Sequence, residues 1–378
     1  MILENQREHF EMSGEIAYLN CAYMSAQLRS VREIGERAVS RKSRPWEITP
    51  NDFFEDAEKA RALFARLVGG EADGVALIPA VSYGIAVAAA NVKVDSGENI
   101  LILEDQFPSN VYAWRELAAR KGARLVTVPH PADHDWTSAV LRYLDENTAV
   151  VAVPNCHWTD GAILDLARVG ARAKEVGAAF VIDGIQSLGA HPFDVAEVRP
   201  DFLVAAAYKW LLGPYGVGFL YVGEEWREGV PIEHNWINRR GSDDFSRLVG
   251  YQDIFQPGAR RYDVGERSNF ILLPMANEAL RQILDWGVQN VSETIGGLTD
   301  HIEEEAKERG IEAIPAKKRA RHMVGLKLGP SAPEELAARL AEEGVFVSVR
   351  GESVRLSPHL YNTAEDVGRF FAALEEAF

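Results

Sequence analysis

The chain has 378 residues, of which 47% are apolar and 2 are cysteines, and its 40 Lys and Arg against 56 Asp and Glu leave a formal charge of −16. That is a globular composition, long enough for two or three domains with a cleft between them. It excludes a small disulfide scaffold, and the acidic balance speaks against a nucleic-acid partner, because phosphate backbones are bound by clustered Lys and Arg. Cys21 and Cys156 supply neither a CxxC zinc pattern nor a disulfide framework, so no metal centre and a reducing, cytoplasmic location are expected.

Residues 1–8 carry charge where a signal peptide needs an apolar core, so no export address is read there. The most apolar stretch, 75–92, is interrupted by Pro79, Ser82, Tyr83, Gly84 and Asn91, which predicts a buried strand running into a buried helix rather than a membrane span. Short apolar runs recur at 75–78, 100–103, 124–128, 149–153, 179–182, 202–205 and 217–222, with helical patterns between them. Most are apolar throughout, as in strands covered on both faces, and predict a mostly parallel α/β sheet over about residues 70–225. In such sheets ligands gather beyond the carboxyl ends of the strands. Residues 223–270, rich in Trp, Arg, Asp and Gly, read as loops over an active site or a subunit contact. A helical pattern then runs from 274 to about 309, followed by strands around 322–328 and 345–350 and helices at 332–343 and 364–377, an α+β second lobe.

The strand ends, in order, are Ala80-Val81-Ser82, Glu104-Asp105-Gln106-Phe107, Asn155-Cys156-His157-Trp158, Asp183-Gly184-Ile185-Gln186 and Tyr208-Lys209-Trp210. Lys209 closes an apolar strand and is followed by Trp210-Leu211-Leu212, surroundings that withhold water. A desolvated lysine has a lowered pKa and attacks aldehydes to form a Schiff base, although most lysines in such places snorkel to solvent. Asp183 lies 26 positions earlier, about one strand–helix–strand unit, so the two can meet at one sheet edge. A buried carboxylate needs a cationic partner. A protonated pyridine nitrogen is such a partner, and Lys with Asp is the pair that pyridoxal 5′-phosphate (PLP) requires; the plainer reading of Asp183 is a turn or cap residue. For the phosphate, Ser82 can cap the helix that follows the first strand, whose N-terminus at Val81 offers free N–H groups. Gly213, Gly216 and Gly218 lead into a strand rather than a helix, which disfavours a dinucleotide fingerprint.

With Lys209, Asp183, Gln186 and Asn155 in this order, the chain resembles the class V aminotransferase family of fold-type I PLP enzymes, which includes cysteine desulfurases, kynureninases and isopenicillin N epimerase-like proteins. The resemblance is densest from Val153-Pro154-Asn155 to Val222 and returns at Arg355-Leu356-Ser357-Pro358-His359 through Asp366. It implies a mostly parallel seven-stranded sheet in a large PLP-binding domain, 15–255, with a smaller α+β domain, 256–378 together with 1–14. It implies further that Lys209 carries the cofactor aldehyde as a Schiff base and moves protons, that Asp183 pairs with the pyridinium nitrogen, and that Gln186 bonds the ring's phenolic oxygen. Asn155 is placed near that oxygen or the substrate carboxylate. Phe107 takes the position of the histidine that stacks on the ring in desulfurases, Tyr208 replaces the histidine usual before the lysine and can reach the phosphate, and Arg355 matches the arginine that grips the substrate α-carboxylate. Ser268 stands where a neighbouring subunit's phosphate receives a donor. His157, with Trp158, His234, Trp236 and Tyr251, is a candidate for the substrate side-chain pocket. A homodimer with active sites at its interface follows from the same resemblance.

One departure is mechanistic. Desulfurases carry a nucleophilic cysteine on a loop before the carboxylate-binding arginine, but here Val349-Arg350-Gly351 is separated from Arg355 by only Glu352, Ser353 and Val354. The expected function is therefore PLP chemistry on an α-amino acid, first as an aminotransferase. The alternatives are a Cβ lyase cleaving C–S or C–C bonds without a persulfide cysteine, or an epimerase. A silent member kept as a binding module would be expected to lose Lys209, which is present.

Overall fold

All seven apolar runs become strands of one sheet: β1 (Val75–Ile78), β2 (Asn99–Leu103), β3 (Arg124–Val128), β4 (Thr148–Pro154), β5 (Ala179–Asp183), β6 (Phe202–Ala206) and β7 (Gly218–Val222). The computed structural model describes residues 1–329, 333–351 and 353–378. The strand order is β1-β7-β6-β5-β4-β2-β3. β7 runs antiparallel to both neighbours and every other pair is parallel. The reversal has a local cause: no crossover helix separates β6 from β7, and only a crossover lets consecutive strands run parallel. Apart from the edge strand β3, whose Arg124 and Thr127 are exposed, the strands are buried on both faces. Val151, Val153, Ile182, Leu203 and Ala205 join one core cluster, while Val150, Ala152, Val181, Phe202 and Val204 join the other. This two-sided burial is why the runs lack alternation.

The second sheet is antiparallel and holds β8 (Glu312–Ala313), β9 (Val324–Lys327), β10 (Ser348–Arg350) and β11 (Ser353–Leu356) in the order β10-β11-β9-β8. The helix Ala364–Ala377 covers it and begins with a capping box in which Thr363 and Asp366 exchange bonds. Two expectations are corrected here. The single helical pattern over 274–309 is two helices, Leu272–Trp286 and Val288–Glu308, broken at Gly287, whose φ of 77° suits a residue without Cβ. The helix expected over 332–343 spans Leu336–Glu342, and residue 332 lies outside the described residues.

The domain boundaries move as well. Ala17–Tyr18 pairs in parallel with Val345–Phe346, and Ala17 and Leu19 are buried in the core of the small lobe rather than the large one. Leu272–Trp286 buries Leu273, Ala276, Ala279, Leu280 and Ile283 in the core of the large lobe. Residues just beyond 255 are tied there too, because buried Arg61 donates from Nη1 to Asp263 (2.9 Å) and to the carbonyl of Val75 (2.6 Å), and Leu77 N–H donates to Asp263 (2.8 Å). The crossover from one lobe to the other falls within Val288–Glu308, whose Val291 and Ile295 pack on the large core and Ile302 and Ala306 on the small one. The change of texture near 255 marks loop composition, not the edge of a core.

Gly189 joins the segment after β5 to the turn after β6. Its φ is 99° and a Cβ there would run into the carbonyl of Trp210. Replacing Gly189 with Ala should cost roughly 2 kcal/mol or more, combining backbone strain with a backbone clash, read as a lower urea midpoint with an unchanged slope.

Candidate active site

Lys209 sits in the tight turn that reverses the chain between β6 and β7. Leu212 N–H closes on the carbonyl of Lys209 (3.0 Å) and Gly213 N–H on that of Ala207 (2.8 Å). Leu212 is held at φ 54°, a costly conformation for a branched side chain, so the turn is shaped at the expense of local comfort. Trp210, Leu211 and Leu212 are buried around it, and Lys209 is itself 6% exposed. Burial, aided by the nearby positive charge of Arg355, lowers the Lys209 pKa to about 8, with Asp183 acting in the opposite sense.

Asp183 ends β5, the parallel neighbour of β6, paired in register with Val204. Its carboxylate accepts from Ile185 N–H (3.1 Å), and its other oxygen has no hydrogen-bond partner among the described residues. Burial raises its pKa to about 6. No ion pair within 4.0 Å joins Asp183 to Lys209, so each group is desolvated without the contact that would compensate it. Gln106, Phe107, Pro154, Cys156, Trp158, Ile185 and Gln186 complete with them a small, tightly lined cavity. The Phe107 ring faces Lys209 Nζ, 5.6 Å from the centroid, and packs edge-on against Trp158 at 5.4 Å.

Gln186 is anchored at both ends. Its Nε2 donates to the carbonyl of Ala22 (3.1 Å), its Oε1 accepts from Trp210 Nε1 (3.1 Å), and its own carbonyl accepts from buried His322 Nε2 (2.6 Å). One N–H of the amide remains for another acceptor. Asn155 follows β4 and donates to the carbonyl of Leu164 (3.2 Å), while its buried Oδ1 has no partner. Arg355 arrives from the small lobe on β11, 1% exposed, with Nη1 on the carbonyl of Trp158 and Nε unpartnered. Burial and then the neighbouring Arg350 lower its pKa to about 10. Tyr208 is half-buried beside Tyr215, ring centroids 4.7 Å apart, with Lys209 Nζ 5.7 Å from its centroid.

Several expected residues stand elsewhere or in other roles. The helix Val81–Asn91 is capped by Ala80, which supplies no side-chain bond, and Ser82 is an exposed residue of its first turn rather than the cap. Val81 remains at that N-terminus, whose first N–H groups have no side-chain partner. His157 does not open onto the cavity: it is fully buried, stacked on Trp136 at 5.1 Å, with Nδ1 on Thr159 (2.7 Å) and Nε2 on the carbonyl of Glu104 (3.1 Å). Ser268 donates to the carbonyl of Phe53. His234 bonds Arg239 and Trp236 packs on Phe53, while Tyr251 is fully in solvent, so none of the three lines the cavity. Gln106, with an unpartnered buried Nε2, and Cys156 both line it. Gln106 was within reach of the strand-end rule; Cys156 resembled any core cysteine, and His322 had no signal in the chain.

The cavity holds an amine and a carboxylate shifted towards neutrality together with the unpartnered Gln106 Nε2; Asn155 and Arg355, each with an unpartnered buried atom, adjoin its lining residues Pro154, Cys156 and Trp158, and the helix that starts at Val81 is uncapped. That donor set fits PLP, with its aldehyde, pyridine nitrogen, phenolic oxygen and phosphate. The family model described as "Aminotransferase class-V" matches residues 44–370. The chain belongs to the class V aminotransferase family. It is 27% identical over 315 residues to an uncharacterized aminotransferase of Bacillus subtilis, covering 83% of this chain and 81% of that protein. It is 26% identical over 333 residues to isopenicillin N epimerase of Streptomyces clavuligerus, covering 84% and 83%. Among solved structures, a lyase mutant with glycine linked covalently to its PLP cofactor superposes with a TM-score of 0.88 at 16% identity, over 99% of this chain and all of that one. The family is one of PLP-dependent enzymes acting on amino acids, and the fold is that of its solved members. Among the described residues no helix is long and apolar enough to cross a membrane.

Two outcomes follow from the shifted pair. In the apoprotein, the rate at which an aldehyde or acylating reagent modifies Lys209 should rise with pH through about 8 instead of above 10, and Arg355→Ala should move that midpoint upward by removing a positive charge; peptide mapping reads both. Because the folded Asp183 pKa lies above its unfolded value, its stabilising share is complete below pH 4 and lost as pH rises through about 6. Asp183→Asn should therefore raise the urea midpoint of the apoprotein at pH 8, with a gain that vanishes towards pH 4.

Proposed function

We propose that the chain binds PLP at Lys209 and acts on an α-amino acid, first as an aminotransferase. The observation that carries this is the meeting of Lys209 and Asp183 at the ends of adjacent strands, both buried, unpaired and shifted towards neutrality, with Arg355 behind them. When bound, PLP supplies an electron sink for negative charge at the substrate Cα. Asp183 would hold the proton of the ring nitrogen, Phe107 would lie against the ring face, Asn155 and Gln186 would meet the phenolic oxygen, and the helix N-terminus at Val81 with Tyr208 would receive the phosphate. Arg355 keeps its Nε and Nη2 hydrogens to grip the α-carboxylate and so orient the Cα–H bond. Lys209 Nζ, with its lowered pKa, can accept and return the Cα proton near neutral pH. Burial keeps bulk water from that proton.

A Cβ lyase of the C–S or C–C type is the second reading, and one observation bears on its form. β10 and β11 pair Arg350 with Ser353 across a short connection, of which Glu352 lies outside the described residues, and no cysteine stands there. Cys21 and Cys156 are buried and burial pushes both thiols far up, so neither is a ready nucleophile. Persulfide chemistry of the desulfurase kind lacks its thiol. A homodimer and a cytoplasmic setting belong to the same proposal; the strongly exposed Val249, Tyr251 and Ile254 in the long loop segment supply an apolar surface for a second copy.

Purified protein should be yellow, and borohydride should fix a pyridoxyl mass on Lys209; a colourless protein indifferent to added PLP would refute the cofactor assignment. With an amino-acid panel, pyridoxamine phosphate and a keto acid should form in equal amounts, whereas pyruvate or alanine without pyridoxamine would select the lyase. Arg355→Ala should weaken amino-acid binding by roughly 2–4 kcal/mol while leaving PLP binding nearly intact; equal losses on both would contradict its role.

A further inference from the structure

The structure assigns to the turn 130–134 and Asp160 a second, cation-binding site: we propose that His130, His134 and Asp160 bind one divalent transition metal, with zinc as the fitting ion. The ligand atoms of the three side chains lie within 4.8 Å of one another. His130 and His134 stand at a His-x3-His spacing that zinc sites use, but no cysteine pair accompanies them and Asp160 is 26 residues further on, which is why a reading keyed to cysteines found no metal. It forms because the segment after β3 and the loop after β4 both end at the same sheet edge, where Trp136 packs against His130 at 4.9 Å and against His157 at 5.1 Å.

Three features prepare the site. The ring Nδ1 of His130 faces the carbonyl of Pro131 (3.2 Å), which only accepts, so Nδ1 carries a hydrogen and Nε2 is the nitrogen turned to Asp160. A backbone carbonyl holding the far nitrogen is the arrangement that orients metal-bound imidazoles. That Nε2 faces Asp160 Oδ2 at 3.2 Å. Two acceptors at this separation need a cation between them, either a proton or a metal ion, and neighbouring ligands of a tetrahedral zinc stand about 3.3–3.6 Å apart. The other Asp160 oxygen is fixed by Ala162 N–H (3.0 Å), leaving Oδ2 aimed at His130. Finally, His134 is held at φ 58° by its N–H bond to the Pro131 carbonyl (3.0 Å), and its Nδ1 is buried without a partner. Two imidazoles and a carboxylate suit zinc and leave a fourth position open. That position faces a cleft of about 600 Å³ that shares Gln106 and Trp158 with the Lys209 cavity.

The test uses full-length PLP-loaded protein after chelator dialysis, titrated with Co²⁺ alone and, separately, with Zn²⁺ by calorimetry. One equivalent of Co²⁺ should give the visible absorption of a tetrahedral N/O site, and Zn²⁺ should displace it. His134→Asn removes the imidazole with a residue that tolerates positive φ, and His130→Gln removes the other; each should weaken binding by more than the roughly 10–100-fold that outer-shell changes cost. Asp160→Asn is the weaker probe because Asp160 also holds the loop. Wild-type protein that binds no equivalent, or binds one as tightly as His134→Asn does, would overturn the proposal, and neither result depends on the reaction assigned to Lys209.

Discussion

The rest of the molecule is arranged around one constraint: an amine and a carboxylate are kept out of water at the ends of adjacent strands without being allowed to touch. Either group alone would favour a solvent-facing rotamer, and together they would favour an ion pair. The turn that seats Lys209, with Leu212 strained and Gly189 pressed on the Trp210 carbonyl, and the Ile185 N–H on Asp183 deny them both escapes. What remains is a gap with a deficit of partners, and such a gap is what a polar, planar, anionic ligand can fill.

The small lobe reaches the site chiefly through β11. β11 delivers Arg355 to the carbonyl of Trp158, and Trp158 in turn donates to the carbonyl of Asp105 (2.5 Å). The His157–Asp160 loop thus has Arg355 on one side and the His130–Asp160 cluster on the other. Arg350 lies over the Trp158 ring at 5.6 Å. Whatever stiffens that loop acts on Arg355.

Much of this was legible in the chain. Each strand of the large sheet is within one residue of its apolar run, because strands buried on both faces need apolar residues without interruption. The strand-end rule pointed to Lys209, Asp183, Gln186 and Phe107, which line one cavity, and to Asn155 beside it. What stayed hidden depends on contacts across long separations: His322 under Gln186, Ala22 against its amide, and the pairing of Asp160 with His130. The Ser82 cap misread a helix start by two residues. His157 misled because a histidine beside a strand end is as well suited to bracing a loop as to meeting a substrate. The boundary near 255 followed loop texture, whereas lobes are defined by which core a helix face enters.

The parallel pairing of Ala17–Tyr18 with Val345–Phe346 has a consequence for how the protein is made. During synthesis at 5–20 residues per second, the partner of that first strand emerges roughly 15–65 seconds after it. The same N-terminal segment supplies the Ala22 carbonyl to Gln186, so the floor of the Lys209 cavity waits on residues 345–346. The large sheet can form before that strand exists, but the segment beneath Gln186 is fixed only once residues 345–346 have been made.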